Sequence, residues 1–232
     1  MTARLHDTVA SHPAARILCP SGVYAPQADT WLLLRALEGE DVEDRTRALD
    51  LGTGTGAVAV AAARRGARVT AVDIAWRAVW TARLNAWLNG TSISVRHGDV
   101  GLGAGLAPGS FDLVLSNPPY VPTAYRRRRP RGAARAWEGG AGGRDVVDRV
   151  CATAHGALRP RGMLLMVHSE LCGVAETIER LSALGMNARV VDRAQVPLGP
   201  VTRDRRAWLC AQGYLDRDAR TEGLVVIRAE RS

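Results

Sequence analysis

The stretch "RALDLGTGTGAVAVAAARRGARVTAVD", residues 47 to 73, decides the fold. "RALDLG" (47 to 52) reads as a buried strand, "AVAVAAARRG" (57 to 66) as a small-residue helix stopped by Gly66, and "ARVTAVD" (67 to 73) as the next strand. Strand, helix, strand is a βαβ unit, and the pattern continues outward from it. In "AWRAVWTARLNAWLNG" the positions Trp76, Val79, Trp80, Leu84, Trp87 and Leu88 recur at three- and four-residue steps, which we read as the core stripe of a helix ending at Gly90. Strands follow at 92 to 97, 110 to 116, 162 to 169, 187 to 194 and 222 to 229, with helices expected at 144 to 158 and near 171 to 184. Upstream, "VYAPQADTWLLLRALE" (23 to 38) predicts a turn and a helix with Pro26 in its first turn and Leu33, Leu34 and Leu37 facing inward. The alternation predicts an α/β fold, a doubly wound, mostly parallel seven-stranded sheet with helices on both faces.

At 232 residues and 47% hydrophobic, the chain has the size of one large α/β domain: an opening segment and helix over 1 to 45, and a core over 46 to 232. All 31 basic residues are Arg, the formal charge is +8, and the balance favours an acidic partner such as nucleic acid or a ribonucleoprotein. The Arg run from Arg126 to Arg135 concentrates that charge in one loop, readable either as a solvated surface or as a rim for RNA or a ribosome-associated factor. Cys19, Cys151, Cys172 and Cys210 form no CxxC pair, so they read as buried thiols and not as a zinc cluster or a disulfide framework. His97, His155 and His168 show no metal-type spacing, and no metal is expected. The amino terminus has no apolar core of signal-peptide length and nothing later reaches membrane-spanning length, so a cytoplasmic protein with no membrane partner is expected.

Chemistry concentrates at the expected strand ends, where ligands of doubly wound sheets bind. The first turn, "DLGTGTG" (50 to 56), carries Gly52, Gly54 and Gly56. With Ala57 it also satisfies a loose dinucleotide pattern, but Asp50, two residues before Gly52, would repel a pyrophosphate and suits an ammonium group. The composite D-x-G-x-G-x-G resembles the loop of S-adenosylmethionine-dependent methyltransferases. Asp73 ends the second strand, where a carboxylate can accept from two ribose hydroxyls, and Asp99, followed by Val100, comes after the third, within reach of an adenine amine. The fourth strand ends in "NPPY" (117 to 120). Each proline holds the residue before it in an extended conformation, so the Pro118 carbonyl and the Asn117 side-chain oxygen form two fixed acceptors for a planar NH2 group, with Tyr120 packing on its face. A conjugated nitrogen is a poor nucleophile; acceptors on both hydrogens favour the pyramidal geometry it must reach. Asn117, Pro118 and Tyr120 are the candidate catalytic residues.

These residues resemble the HemK group of methyltransferases, which modify the side-chain nitrogen of glutamine in translation termination factors. "VYAPQADTWLLLRALE" and "ARAWEGGAGGRDVVDRV" (134 to 150) are similar to segments of the group's short branch, which lacks the N-terminal helical domain of the bacterial release-factor enzymes. The resemblance implies S-adenosylmethionine as cofactor, Thr30, Asp50, Gly52, Asp73, Asp99 and Asn117 against the cofactor or the target amide, a translation factor as protein substrate, and a small zinc-binding activator subunit such as the eukaryotic members need. The NPPY corner alone is shared with adenine and guanine amine methyltransferases, which leaves an RNA or DNA base amine as the alternative acceptor. Ala25 where the family usually has an acid, the basic run after the corner, and a long segment at 199 to 220 depart from the family pattern.

Overall fold

The structure, a computed structural model, describes residues 15–123 and 137–232. The expected elements are present in order: α1 (Ala28–Glu38), β1 (Arg47–Leu51), α2 (Ala57–Arg64), β2 (Arg68–Asp73), α3 (Trp76–Leu88), β3 (Ile93–His97), β4 (Phe111–Ser116), α4 (Val147–Ala157), β5 (Leu158–Ser169), α5 (Val174–Ala183), β6 (Met186–Pro197), α6 (Pro200–Asp204), α7 (Arg206–Ala211) and β7 (Thr221–Arg231), of which the two short helices α6 and α7 were not expected. The seven strands form one sheet in the order β3-β2-β1-β4-β5-β7-β6. The pairs among β1 to β5 are parallel, and β7 runs antiparallel between β5 and β6. Alternation of side chains along each strand feeds two cores. One contains Leu33, Leu37, Val58, Val79, Leu115 and Val167 under α1 to α3, and the other contains Leu49, Leu51, Val150, Leu164, Met166 and Leu181 under α4 and α5.

Three expectations need correction. Helix α1 starts at Ala28 with Gln27 as its N-cap, so Pro26 precedes the helix; Leu33 and Leu37 are buried as expected, while Leu34 is only partly so. Of the four cysteines, Cys151 and Cys172 are buried, Cys19 is exposed and Cys210 lies between. The stripe expected to be core is buried only at Val79: Trp76, Trp80 and Trp87 are 57%, 61% and 75% exposed and Leu84 and Leu88 are exposed with them, while Ala78, Thr81, Ala82, Asn85 and Ala86 are buried beside Val79. The reason is the approach of α2: a Cβ on Gly56, its N-cap, would lie 2.9 Å from the Ala82 Cα, so this interface admits only small side chains and the large ones must face out.

A strap formed by residues before α1 crosses the same helix. Asn85 and Asn89, one turn apart, each exchange two hydrogen bonds with the strap backbone, at Leu18 and Arg16 respectively. Asn85 also donates to the Thr55 carbonyl at 2.8 Å, joining the strap to the glycine turn after β1. Segment 199 to 220 holds the short helices α6 and α7, and the Arg126 to Arg135 run lies outside the described residues.

Candidate active site

The carboxyl ends of β1, β2 and β4 open on a cavity of about 710 Å³. Its lining brings together Thr30, Asp50, Gly52, Gly54, Asp73, Asp99, Val100, Asn117 and Pro118, which the sequence scatters over 89 positions. Two candidates are not in that lining. Gly56, at φ 81°, serves the close packing of α2 on α3, and Tyr120 lines a second, smaller cavity on the far side of the Asn117 corner.

The glycine turn folds back onto the end of β2. Gly52 and Thr53 both donate to the Val72 carbonyl, and Gly54, at φ 54°, donates to Asp73 Oδ2 at 2.9 Å. Asp73 Oδ1 accepts from the Ala75 amide at 2.8 Å, so each oxygen keeps a second lone pair for a ligand hydroxyl. Burial pushes the Asp73 carboxyl up, opposed by those two amides. Asp50, 2% exposed, accepts from Thr53 Oγ1 at 2.6 Å. Burial raises its pKa to about 7, with the Asp73 charge adding to the rise and the Thr53 hydrogen bond opposing it. A buried carboxylate with no cation beside it among the described residues is matched by a ligand that brings an ammonium group. Asp99 accepts from the Gly101 amide at 2.8 Å and pairs with Arg149 Nη1 at 2.7 Å. Arg149, from α4, lines the cavity too and was not singled out in the sequence.

At the end of β4, Asn117 Nδ2 donates to Thr30 Oγ1 at 3.3 Å, and Pro118 is buried beside it. Tyr120 Oη donates to Asp29 Oδ2 at 3.0 Å, and Tyr24 Oη donates to the same oxygen at 2.7 Å. Burial, together with the Asp29 charge, holds both phenols well above their ordinary pKa. The corner is clamped from outside by "EGGAGGR" (138 to 144). The Val121 amide donates to the Trp137 carbonyl and the Val121 carbonyl accepts from the Gly139 amide, across a bridge between Val121 and Glu138. A Cβ on Gly139 would stand 2.8 Å from the Tyr120 carbonyl carbon, so glycine is what lets the two backbones meet. Arg144 anchors the clamp, donating to the Cys172 and Gly173 carbonyls at 2.6 and 3.0 Å. Sequence reading saw these glycines as a family likeness and missed their contact with the corner.

The second cavity, about 150 Å³, lies between Asn117–Val121 and segment 196 to 202. Segment 199 to 220 is therefore part of the site: Arg205 donates to the Pro122 carbonyl at 3.2 Å and pairs with Glu138 at 2.6 Å. Glu222 holds the start of α6 through the Gly199 amide and the Thr202 hydroxyl, both at 3.1 Å. Asn117, Pro118 and Pro119 line both cavities and form the wall between them.

A seven-stranded sheet with its last strand antiparallel, a glycine turn after β1 and acids at the next strand ends together define a class I methyltransferase fold. Residues 15–128 match the family described as Methyltransferase small domain. The chain is 36% identical over 176 residues, 75% of its length and 86% of the relative's, to a Methanocaldococcus jannaschii protein described as a protein N5-glutamine methyltransferase. It is 41% identical over 161 residues to the release factor glutamine methyltransferase of Deinococcus radiodurans, of whose length it spans 56%. Among solved structures, the E. cuniculi Mtq2-Trm112 complex, responsible for methylation of the eRF1 translation termination factor, superposes with a TM-score of 0.64 at 26% identity, covering 91% of this chain and 99% of that one. The chain belongs to the HemK-type protein-glutamine methyltransferase family. Among the described residues no group of His, Cys, Asp and Glu is placed to hold a metal ion, and no helix is long and apolar enough to cross a membrane.

Proposed function

We propose that this protein transfers a methyl group from S-adenosylmethionine to the side-chain amide nitrogen of a glutamine in a translation release factor, acting in the cytoplasm. The observation that carries this reading is the shared wall: one corner, Asn117–Pro118–Pro119, faces a large carboxylate-lined cavity on one side and a small cavity on the other. The large cavity takes the cofactor, with Asp50 toward its ammonium group, Asp73 toward the ribose hydroxyls, Asp99 and Val100 toward the adenine, and Gly52, Gly54 and Thr30 along its length. The small cavity admits the acceptor side chain past Tyr120. Bound in the large cavity, the cofactor supplies an electrophilic methyl group on a sulfonium. The chain's own residues hold the acceptor nitrogen: Asn117 Oδ1 and the Pro118 carbonyl accept its two hydrogens, which draws it out of conjugation as the new bond forms. No base is needed before transfer, because the nitrogen attacks as a neutral amide; the methyl–sulfur bond breaks as the methyl–nitrogen bond forms, the sulfonium leaves as a neutral thioether, and the extra proton on nitrogen is lost to solvent afterwards.

Tritiated methyl transfer into cell lysate, followed by protease or nuclease, tests the substrate class. Label removed by protease is expected; label removed by nuclease moves the acceptor to a base amine. The reading includes a small activator subunit, supported by the partner in the solved relative and by the exposed α3 face, where residues 74 to 98 carry three Arg and no acid. Trp80→Glu combined with Trp87→Glu should leave the melting temperature unchanged and remove that subunit from the purified complex; its retention places the docking surface elsewhere.

A further inference from the structure

We propose that Asp29 is a positioning residue that sets which way the Asn117 amide faces, and so which of its atoms meets the acceptor nitrogen. This deepens the reading above and rests on it for the transfer step. Asp29 sits in the first turn of α1, 3% exposed, and is the meeting point of four donors. Its Oδ2 accepts from Tyr24 Oη and Tyr120 Oη at 2.7 and 3.0 Å, and its Oδ1 accepts from the Thr30 amide and Thr30 Oγ1 at 2.6 and 3.2 Å. Four donors fill the four lone-pair positions of a carboxylate, which has no hydrogen to give.

The consequence runs in one direction. Thr30 has a single hydroxyl hydrogen, and Asp29 takes it. Toward Asn117 the Thr30 oxygen can therefore only accept, so Asn117 must present its NH2 group there, as the 3.3 Å contact from Nδ2 shows. With Nδ2 committed to Thr30, Oδ1 is the atom left to receive a hydrogen from the acceptor. A flipped Asn117 would offer a donor to an NH2 group that is itself a donor. The other oxygen of Asp29 orders Tyr120, which lines the small cavity, in the same way. One acceptor-only side chain thus sets the polarity of the two residues on either side of the Pro118–Pro119 turn. Its charge also lies near the amino end of α1, where the helix dipole favours it.

The test compares Asp29→Asn, Thr30→Val and Thr30→Ser in the full chain, with release-factor protein as acceptor. Asp29→Asn places a donor in a site built for an acceptor, and Thr30→Val removes the hydroxyl at nearly constant volume. Each should lower kcat by about ten- to a hundredfold, less than the outright loss of a preorganised polar contact because Asn117 itself remains, with the acceptor KM changed less than threefold. The double variant should be no slower than the worse single one, because both break the same relay. Thr30→Ser keeps the hydroxyl and should recover most of the rate that Thr30→Val loses. The side-chain 15N signals of Asn117 read the orientation without turnover: proton exchange of its NH2 should quicken at least tenfold in Asp29→Asn and Thr30→Val. Unchanged exchange in folded variants overturns the proposal, as does a kcat loss matched by an equal loss of S-adenosylmethionine affinity. A parent chain that methylates no protein overturns the glutamine reading instead, and the exchange measurement still decides the role of Asp29.

Discussion

Replacing Asp50 by Asn should move two properties in opposite directions. The Asp50 carboxyl rises from an ordinary 3.8 to about 7 in the folded chain, mainly because burial disfavours its charge. A difference of that size corresponds to about 4 kcal/mol between the two protonation states. The sign follows from proton binding: between about pH 4 and 7 the folded chain holds a proton that the unfolded chain has released, so stability falls as pH rises through that window and stays low above it. Asparagine has no charge to bury, and its Oδ1 can still accept from the Thr53 hydroxyl, now held at 2.6 Å. Some of the gain is lost because the Asn NH2 must find its own partner, so a net stabilisation of about 2 kcal/mol is expected at pH 8. For a chain of this length that is a rise of about 4 to 8 °C in melting temperature. The advantage should shrink as pH falls from 7 toward 4 and disappear below about pH 3, where Asp50 is protonated in both states. Cofactor binding should respond the other way, because the ammonium group loses its counter-charge: calorimetry at pH 8 should show S-adenosylmethionine bound about tenfold to a hundredfold more weakly. Parallel thermal scans and titrations suffice. A ligand-free variant that melts below the parent at pH 8, or one that binds the cofactor as tightly, would refute the account of Asp50 as a destabilising carboxylate retained for its ligand.

Asp73→Ala should weaken S-adenosylmethionine binding by about 1.5 to 3 kcal/mol, since it removes hydrogen bonds to a charged group and also frees the Gly54 and Ala75 amides; unchanged affinity by calorimetry removes the ribose assignment. Asn117→Ala should lower kcat by about two to three orders of magnitude with cofactor affinity little changed, and single-turnover transfer at the parent rate would show the corner to be structural only.

Most of the lining of the larger cavity was legible because its signals are local. Asp50 lies near the end of β1, Asp73 ends β2 and Asp99 follows β3, strands that the sequence marks by composition, and parallel strands bring their carboxyl ends together wherever the loops lead. Two kinds of information were not local. Helix α3 carries two stripes of helical period, one large and one small, and residue size suggested the wrong one; what buries the small stripe is the glycine-close approach of α2, a tertiary fact. Asp29 meets Tyr120 across 91 positions, and nothing in either segment names the other. Segment 199 to 220 looked like an insertion because its partners, Glu138, Pro122 and Glu222, are spread over three other parts of the chain.

The place of β7 in the sheet bears on how the molecule is made. This strand lies between β5 and β6, so β6 has no other neighbour in the sheet. A ribosome finishes β6 at Pro197 and does not finish β7 until Arg231, an interval of about 2 to 7 s at ordinary elongation rates. Throughout that time the nascent chain carries β6 with both edges unpaired and β5 with one edge open, the kind of surface that holdase chaperones recognise and that sticks to its own copies. Glu222, which fastens the start of α6 beside the acceptor cavity, arrives with the same strand. A stop codon at or before Thr221 would therefore do more than shorten the protein: it would leave β6 detached and the smaller cavity without Glu222 and Leu224, while the larger cavity is lined without any residue of β7.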